Sequence, residues 1–232
     1  MQECLIIGHR GAAGLAPENT MLAYRTALHL GAPMIELDIH ETLDGHLICI
    51  HDTTVDRTTN GSGMVSEMTL REIRALDAGL GERIPLLGEV LDLARGSMRV
   101  NIELKTLGVE KRLLDLVANR NMLDGILVSS FYHGSILSIK ELSPRIPTGA
   151  LISEPQDGLV SYVVDLGANA VNPLHSLVTH ELVEEAHRES LEIYPWTVND
   201  RPRMFELFRC DVDGIITDYP DAGLDALRKF ST

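Results

Sequence analysis

The sequence predicts a (β/α)₈ barrel, and three observations predict it. Short apolar runs and amphipathic stretches alternate about eight times along 232 residues, the rhythm and length of such a barrel. The apolar runs stop at polar residues with useful chemistry, and the mouth of a parallel barrel is where such groups gather. No Gly-x-Gly-x-x-Gly follows the first run, so the dinucleotide signature of the structural alternative, an open doubly wound sheet, is missing.

The first run, Cys4 to Ile7, stops at Gly8-His9-Arg10-Gly11. Pro17-Glu18-Asn19-Thr20 then opens an amphipathic stretch to Leu30, which Gly31 ends as a C-cap glycine would. From Met34 to Asp52 the pattern is two strands around the turn Leu43-Asp44-Gly45. In the first strand Ile35, Leu37 and Ile39 alternate with Glu36, Asp38 and His40, so two carboxylates share a face. Alone, such alternation is commonly only a solvated sheet face. The second strand, Leu47 to Ile50, ends in His51 and Asp52 and delivers an imidazole near the acid pair.

Periodicity then lapses through the Thr/Asn/Gly/Ser-rich segment Val55 to Gly63, before a helical pattern at Thr69 to Ala78. The stretch 53–83 is an excursion from the barrel rhythm. A helix at Leu87 to Ala94 leads to the strand Val100 to Lys105, and the alternation becomes regular. Strands are expected at Ile126 to Ser130, Thr148 to Ile152, Ala170 to Asn172, Glu192 to Thr197 and Gly214 to Thr217. Helices are expected at Glu110 to Arg120, Ser135 to Leu142, Gly158 to Leu166, Thr179 to Glu189, Pro202 to Phe208 and Asp221 to Lys229. With no internal repeat and no linker, residues 1–232 read as one domain with 53–83 as a small insertion.

Composition narrows the function classes. At 44% hydrophobic the chain can bury a substantial core without disulfides or structural metals. A formal net charge of -14 without a basic run argues against partners held by charge attraction, nucleic acid and anionic membranes among them. Cys4, Cys49 and Cys210 are odd in number, and the first two lie in apolar runs, as buried reduced thiols do. With no signal peptide ahead of the first strand and no run near the ~20 residues that span a bilayer, a cytoplasmic protein is expected.

The strand ends collect the chemistry: His9 and Arg10 on the first, Glu36 and Asp38 on the second, and His51 on its hairpin partner. Glu103 and Lys105 follow on the third, Ser129 and Ser130 on the fourth, Trp196 on the seventh and Asp218 on the eighth. Glu36, Asp38 and Glu103, gathered without a neutralising cluster of lysines, would repel one another, and a divalent cation resolves that repulsion. All-oxygen ligation favours Mg²⁺ or Ca²⁺, with Mn²⁺ as a third option, over Zn²⁺. His9 and His51 are the natural proton-transfer pair. Arg10 and Lys105 bring positive charge suited to a phosphate ester, and Trp196 either packs in the core or walls the pocket.

These stretches resemble the glycerophosphodiester phosphodiesterases. The resemblance is carried by His9-Arg10-Gly11 with Pro17-Glu18-Asn19-Thr20, Ile35-Glu36-Leu37-Asp38, and His51-Asp52 running on to Asp56-Arg57-Thr58-Thr59-Asn60-Gly61. It continues in Asn101-Ile102-Glu103-Leu104-Lys105, Ser129-Ser130-Phe131, Trp196-Thr197-Val198-Asn199 and Asp213-Gly214-Ile215-Ile216-Thr217-Asp218. It implies a TIM barrel with a small insertion and hydrolysis of glycerophosphodiesters to glycerol 3-phosphate and an alcohol. By matching positions it implies His9 and His51 as the catalytic pair and Glu36, Asp38 and Glu103 as ligands of one divalent cation. Arg10 and Lys105 would then be phosphate contacts, and Phe131 and Trp196 pocket walls. Glu41, where an uncharged residue is more usual, and Pro195 before the tryptophan are small departures outside that set. Two other readings stand beside it: a lysophospholipase D-type activity on the same barrel, and a non-catalytic phosphate-binding module.

Overall fold

A computed structural model describes residues 4–232. The strands are β1 (Leu5–Gly8), β2 (Met34–Glu41), β3 (Leu47–Cys49), β4 (Arg99–Leu104), β5 (Ile126–Ser130), β6 (Thr148–Ile152), β7 (Ala170–Pro173), β8 (Glu192–Ile193) and β9 (Gly214–Thr217). The helices are α1 (Met21–Leu30), α2 (Leu70–Ile73), α3 (Leu87–Ala94), α4 (Glu110–Ala118), α5 (His133–Leu142), α6 (Leu159–Asp165), α7 (His180–Arg188), α8 (Arg201–Arg209) and α9 (Pro220–Phe230). Eight strands run parallel in the order β8-β7-β6-β5-β4-β2-β1-β9, and β3 pairs antiparallel with β2 outside that path. At the seam the ring is drawn together by backbone bonds: Asp213 N–H to the Ile193 carbonyl at 3.2 Å, Ile216 to Pro195 at 2.9 Å and Val198 to Ile216 at 2.8 Å. The result is the predicted (β/α)₈ barrel.

Local chemistry sets the element ends. The Thr20 hydroxyl accepts the Ala23 N–H at 3.3 Å to start α1, and Gly31 closes it in the left-handed region at φ 85. Asp200 caps α8 by accepting the Arg203 N–H at 3.1 Å, with Pro202 in its first turn. Two expectations change. The helix expected over Thr69 to Ala78 is only α2: past Ile73 the backbone tightens to i→i−3 bonds, Ala75 to Glu72 and Leu76 to Ile73 at 3.2 Å each, and side chains then take the N–H groups that follow. Asn60 Oδ1 accepts the Asp77 N–H at 2.9 Å, and Asp77 Oδ1 accepts those of Gly79 and Gly81 at 2.7 and 3.1 Å. The strand expected to reach Thr197 ends at Ile193, since Pro195 has no N–H to give a ladder. The chain nevertheless stays beside β7, with the Tyr194 and Trp196 N–H groups bonded to Val171 and Pro173 at 3.0 and 3.1 Å.

Alternate residues on each strand face opposite ways, which fixes where the site lies. Ile35, Leu37 and Ile39 pack outward in a large core against the helices, so no face of β2 is solvated. The inward residues Ile7, Met34, Leu127, Ala170, Tyr194 and Ile216 form an apolar plug inside the barrel. Two residues further along the chain from each come His9, Glu36, Ser129, Asn172, Trp196 and Asp218. The polar layer therefore sits one pleat above the plug, toward the carboxyl ends of the strands.

The segment after β3 carries its own small core of Ile50, Val55, Val65, Ile73, Ala78 and Ile84, joined to the barrel through Ile48. The turn after β1 is held by a close backbone approach: a Cβ on Gly8 would lie 2.1 Å from the Gly11 carbonyl oxygen. Backbone cannot swing aside as a flexible side chain can. Gly8→Ala is therefore expected to destabilise the protein by ~1–3 kcal/mol, read as a lower urea midpoint. An unchanged midpoint would show that the turn relaxes freely.

Candidate active site

His9, Arg10, Glu36, His51, Glu103, Lys105, Phe131 and Trp196 line one cavity at the mouth of the barrel, together with Asn101 and Ser129. Of the strand-end residues singled out from sequence, Asp38, Ser130 and Asp218 do not line it; Asp38 lies fully buried behind. Facing carboxylate oxygens of Glu36, Asp38 and Glu103 all lie within 4.8 Å of one another. The side chains come from adjacent, registered strands, with Glu36 opposite Asn101 and Asp38 opposite Glu103. All three acids are buried, at 3%, 0% and 8% exposure, so each carboxylate must be met by positive charge or donors.

Asp38 is met most fully. Asn19 Nδ2 donates to its Oδ2 at 2.8 Å, the Arg10 Nε lies 3.2 Å from the same oxygen, and Lys105 Nζ lies 3.2 Å from Oδ1. Burial opposes its charge, yet Lys105 and Arg10 prevail and hold its carboxyl below the usual range. Lys105 Nζ also lies 2.5 Å from Glu103 Oε1. The acids thus do have cations among them, contrary to the sequence-based premise of an unneutralised cluster. Their neutralisation is uneven. Glu36 Oε2 accepts the Arg10 N–H at 2.9 Å, whereas Oε1 is buried without a hydrogen-bond partner. Burial, then the Asp38 charge, pushes Glu36 well above the carboxylate range and Glu103 to about 7, against the pull of nearby cations. A bare buried carboxylate oxygen beside two more carboxylates, with oxygen donors only, fits a hard divalent cation.

Each histidine is oriented by a carboxylate. His9 Nδ1 lies 2.6 Å from Asp218 Oδ1, and Asp218 is fixed by Asn199, whose Nδ2 donates to Oδ2 at 2.6 Å and whose Oδ1 accepts the Asp218 N–H at 2.9 Å. His51 Nδ1 lies 2.6 Å from Asp52 Oδ1. An Nδ1–H given to a carboxylate leaves Nε2 as the working nitrogen. Burial lowers the pKa of His51, against the opposing charge of Asp38 and the Asp52 bond, which favours a neutral ring at neutral pH. Phe131 and Trp196 meet edge to face, centroids 5.5 Å apart, and the indole N–H is anchored on the Asn172 carbonyl at 2.8 Å. They form one wall of the cavity, and Lys105 Nζ stands 5.8 Å from the Phe131 ring centre.

Asp52, Asp218, Asn199, Asn19, Glu18 and Arg57 complete the arrangement without having been assigned roles from sequence. The signal for Asp52 was its place beside His51; for Asn19, Glu18 and Arg57 it was membership of the polar motifs that follow the strand ends.

The family model described as glycerophosphoryl diester phosphodiesterase family matches residues 9–222. A glycerophosphodiester phosphodiesterase from Caldanaerobacter subterraneus subsp. tengcongensis is 40% identical, over 97% of this chain and 98% of that protein. Among solved structures, a glycerophosphodiester phosphodiesterase from Agrobacterium tumefaciens superposes with TM-score 0.86 at 31% identity, covering 96% of this chain and 99% of that one. A phosphodiesterase from Oleispira antarctica, solved in complex with the product sn-glycerol-3-phosphate, superposes with TM-score 0.89 at 27% identity, covering 97% and 96%. Fold and matches together define a barrel enzyme of the phosphodiesterase class. The chain belongs to the glycerophosphoryl diester phosphodiesterase family.

Proposed function

We propose that the protein hydrolyses glycerophosphodiesters to sn-glycerol 3-phosphate and an alcohol, with His9 and His51 as the acid–base pair. The observation that carries this reading is that both imidazoles, each tied through Nδ1 to a carboxylate at 2.6 Å, line the cavity that also holds the acidic cluster. The product bound to the Oleispira antarctica relative supports the choice of substrate. Glu36, Asp38 and Glu103 hold one divalent cation, Mg²⁺ or Ca²⁺ before Mn²⁺. When bound, such an ion supplies positive charge to the phosphate oxygens and relieves the repulsion among the acids.

Arg10 and Lys105, already placed over the acids, present the remaining positive charge to the phosphate, Arg10 through a planar fork and Lys105 as a point charge. Phe131 and Trp196 flank the diester. One imidazole takes the proton of the glycerol 2-hydroxyl as its oxygen attacks phosphorus, and the other gives a proton to the departing alcohol. An attacking group carried by the substrate enjoys effective molarities far above those of external water. The cyclic phosphate that results is opened by water. The presence of two histidines and a single acidic cluster among the described residues supports this route over attack by metal-generated hydroxide.

Residues 1–232 act as one domain, in which the insertion 53–83 is well placed to close over a small glycerol head. The enzyme works in the cytoplasm. Three free cysteines fit a reducing compartment, and no helix of the described residues is long and apolar enough to cross a membrane. The test is an analogue whose 2-hydroxyl is replaced by hydrogen, compared with its parent at saturating cation. It is expected to bind competitively and resist cleavage, with a cyclic product visible by phosphorus NMR early in the parent reaction. Turnover of the analogue at a comparable kcat would make external water the nucleophile.

A further inference from the structure

We propose that Arg57, which does not line the cavity, is a positioning residue that holds His51 in its working orientation through Asp52, with Glu18 as its anchor. The inference rests on the acid–base reading of His51 given above. Arg57 comes from the segment after β3. Its Nε donates to Asp52 Oδ2 at 2.7 Å and its Nη2 to Asp52 Oδ1 at 3.0 Å. Its Nη1 donates to Glu18 Oε2 at 2.8 Å and Nη2 to Glu18 Oε1 at 2.7 Å. One guanidinium thus clamps two carboxylates, each by both oxygens. A planar fork can do this and a point charge cannot.

The clamp matters because of what Asp52 does. Its Oδ1 meets His51 Nδ1 at 2.6 Å, yet the two residues are adjacent in the chain and the Asp52 side chain is 28% exposed. Among the described residues the Asp52 carboxylate bonds only His51 and Arg57. Arg57 therefore sets its direction, because both Asp52 oxygens are taken by a group that is itself fixed. Glu18 is fixed in turn by Arg10, whose Nη1 donates to Oε1 at 2.7 Å. A continuous line therefore runs from His51 through Asp52, Arg57 and Glu18 to Arg10, and joins the segment after β3 to the loop before α1.

His9 has a support of the same kind. Its carboxylate, Asp218, is held by Asn199, which bonds both the Asp218 side chain and its backbone. The two histidines have equivalent supports of different origin: the barrel's own seam holds one, and the excursion holds the other. The Arg57 side chain is 48% exposed, a setting in which ion pairs add little to stability. Its four bonds act on geometry instead.

The experiment uses the full chain with glycerophosphocholine and saturating Mg²⁺, comparing wild type, Arg57→Ala, His51→Ala and the double variant. Arg57→Ala is expected to lower kcat by about tenfold to a hundredfold with KM near wild type, part of what a positioned acid–base group contributes. In the His51→Ala background, removing Arg57 is expected to cost nothing further, as for residues acting as a unit. Arg57→Lys should stay impaired. Added guanidinium ion at millimolar concentration should restore part of the activity of Arg57→Ala and none of that of His51→Ala. Wild-type kcat in Arg57→Ala, or the same fold-loss in both backgrounds, overturns the proposal. If Arg57→Ala loses its cooperative melt, Asp52→Asn carries the test: it too should lower kcat only while His51 is present, and equal losses in the two backgrounds overturn the proposal. If His51→Ala itself keeps wild-type kcat, the acid–base reading falls and this inference with it; a loss there alongside an unaffected Arg57→Ala sinks this inference alone.

Discussion

Alanine at either His9 or His51 is expected to lower kcat by about a hundredfold to ten-thousandfold, the usual contribution of a positioned acid or base. The geometry makes the two losses comparable, since each ring is held through Nδ1 by a carboxylate at 2.6 Å and each lines the same cavity. It also makes them far from additive. Once one proton transfer is lost the transition state changes, and the second imidazole has less to act on. KM should move little, because neither ring is the main source of positive charge for the phosphate. Steady-state kinetics of the single and double variants check this. A histidine whose alanine variant retains near wild-type kcat is structural, held by its carboxylate for packing and nothing more.

Exhaustive chelation is expected to abolish turnover reversibly, and Glu103→Gln to weaken cation affinity, because an anionic ligand becomes neutral. The pH dependence follows from how the acids are held. Glu103, at about 7, and Glu36 both titrate above their unfolded value of about 4.5 because they are buried beside Asp38. A carboxyl raised in this way contributes stability that is full below its unfolded pKa and lost as pH rises through its folded pKa. The metal-free protein should therefore soften from about pH 4.5 to about pH 7, as protons that shield the cluster are lost. Asp38 runs the other way: its depressed pKa contributes stability above about 3.8, lost only in stronger acid. A cation held by the cluster would replace the protons shielding Glu36 and Glu103, so the rise in Tm on adding Mg²⁺ or Ca²⁺ should grow across the same window. Calorimetry at pH 5 and pH 8 reads this directly. An equal shift at both values would mean the ion binds elsewhere, and full activity after chelation would remove the cation from the reaction.

Much of this was legible in the chain because a parallel barrel converts strand ends into a site. The period-two alternation of Glu36 and Asp38 put them on one face, and the abrupt ends at His9, His51 and Glu103 put those residues at one rim, where the structure has them. Less legible was anything that depends on partners distant in sequence. Arg10 and Lys105 read as cations reserved for a phosphate, whereas in the structure both also sit against Asp38. The Arg57–Glu18 pair spans 39 positions between two loops with no periodic pattern to place them. The shortened α2 belongs with these, since the Asp77 N–H is taken by Asn60 from 17 positions away, whereas β8 ends for a local reason, the missing N–H of Pro195.

The strand pairing described above is lopsided. β2 and β4 are registered over six positions, Met34 with Arg99 through Ile39 with Leu104, while β7 and β8 share only Ala170 with Glu192 and Val171 with Ile193. In amide hydrogen exchange the two sides of one cavity should therefore behave as different foldons: slow protons behind the acids, faster ones along the approach to Trp196. The half that carries the three carboxylates is the one with the longer ladder. The aromatic wall straddles the two: Phe131 follows β5, which pairs with β4 over four positions, while Trp196 follows the two-position ladder of β8, so exchange is expected to slow from the indole side of the wall to the phenyl side.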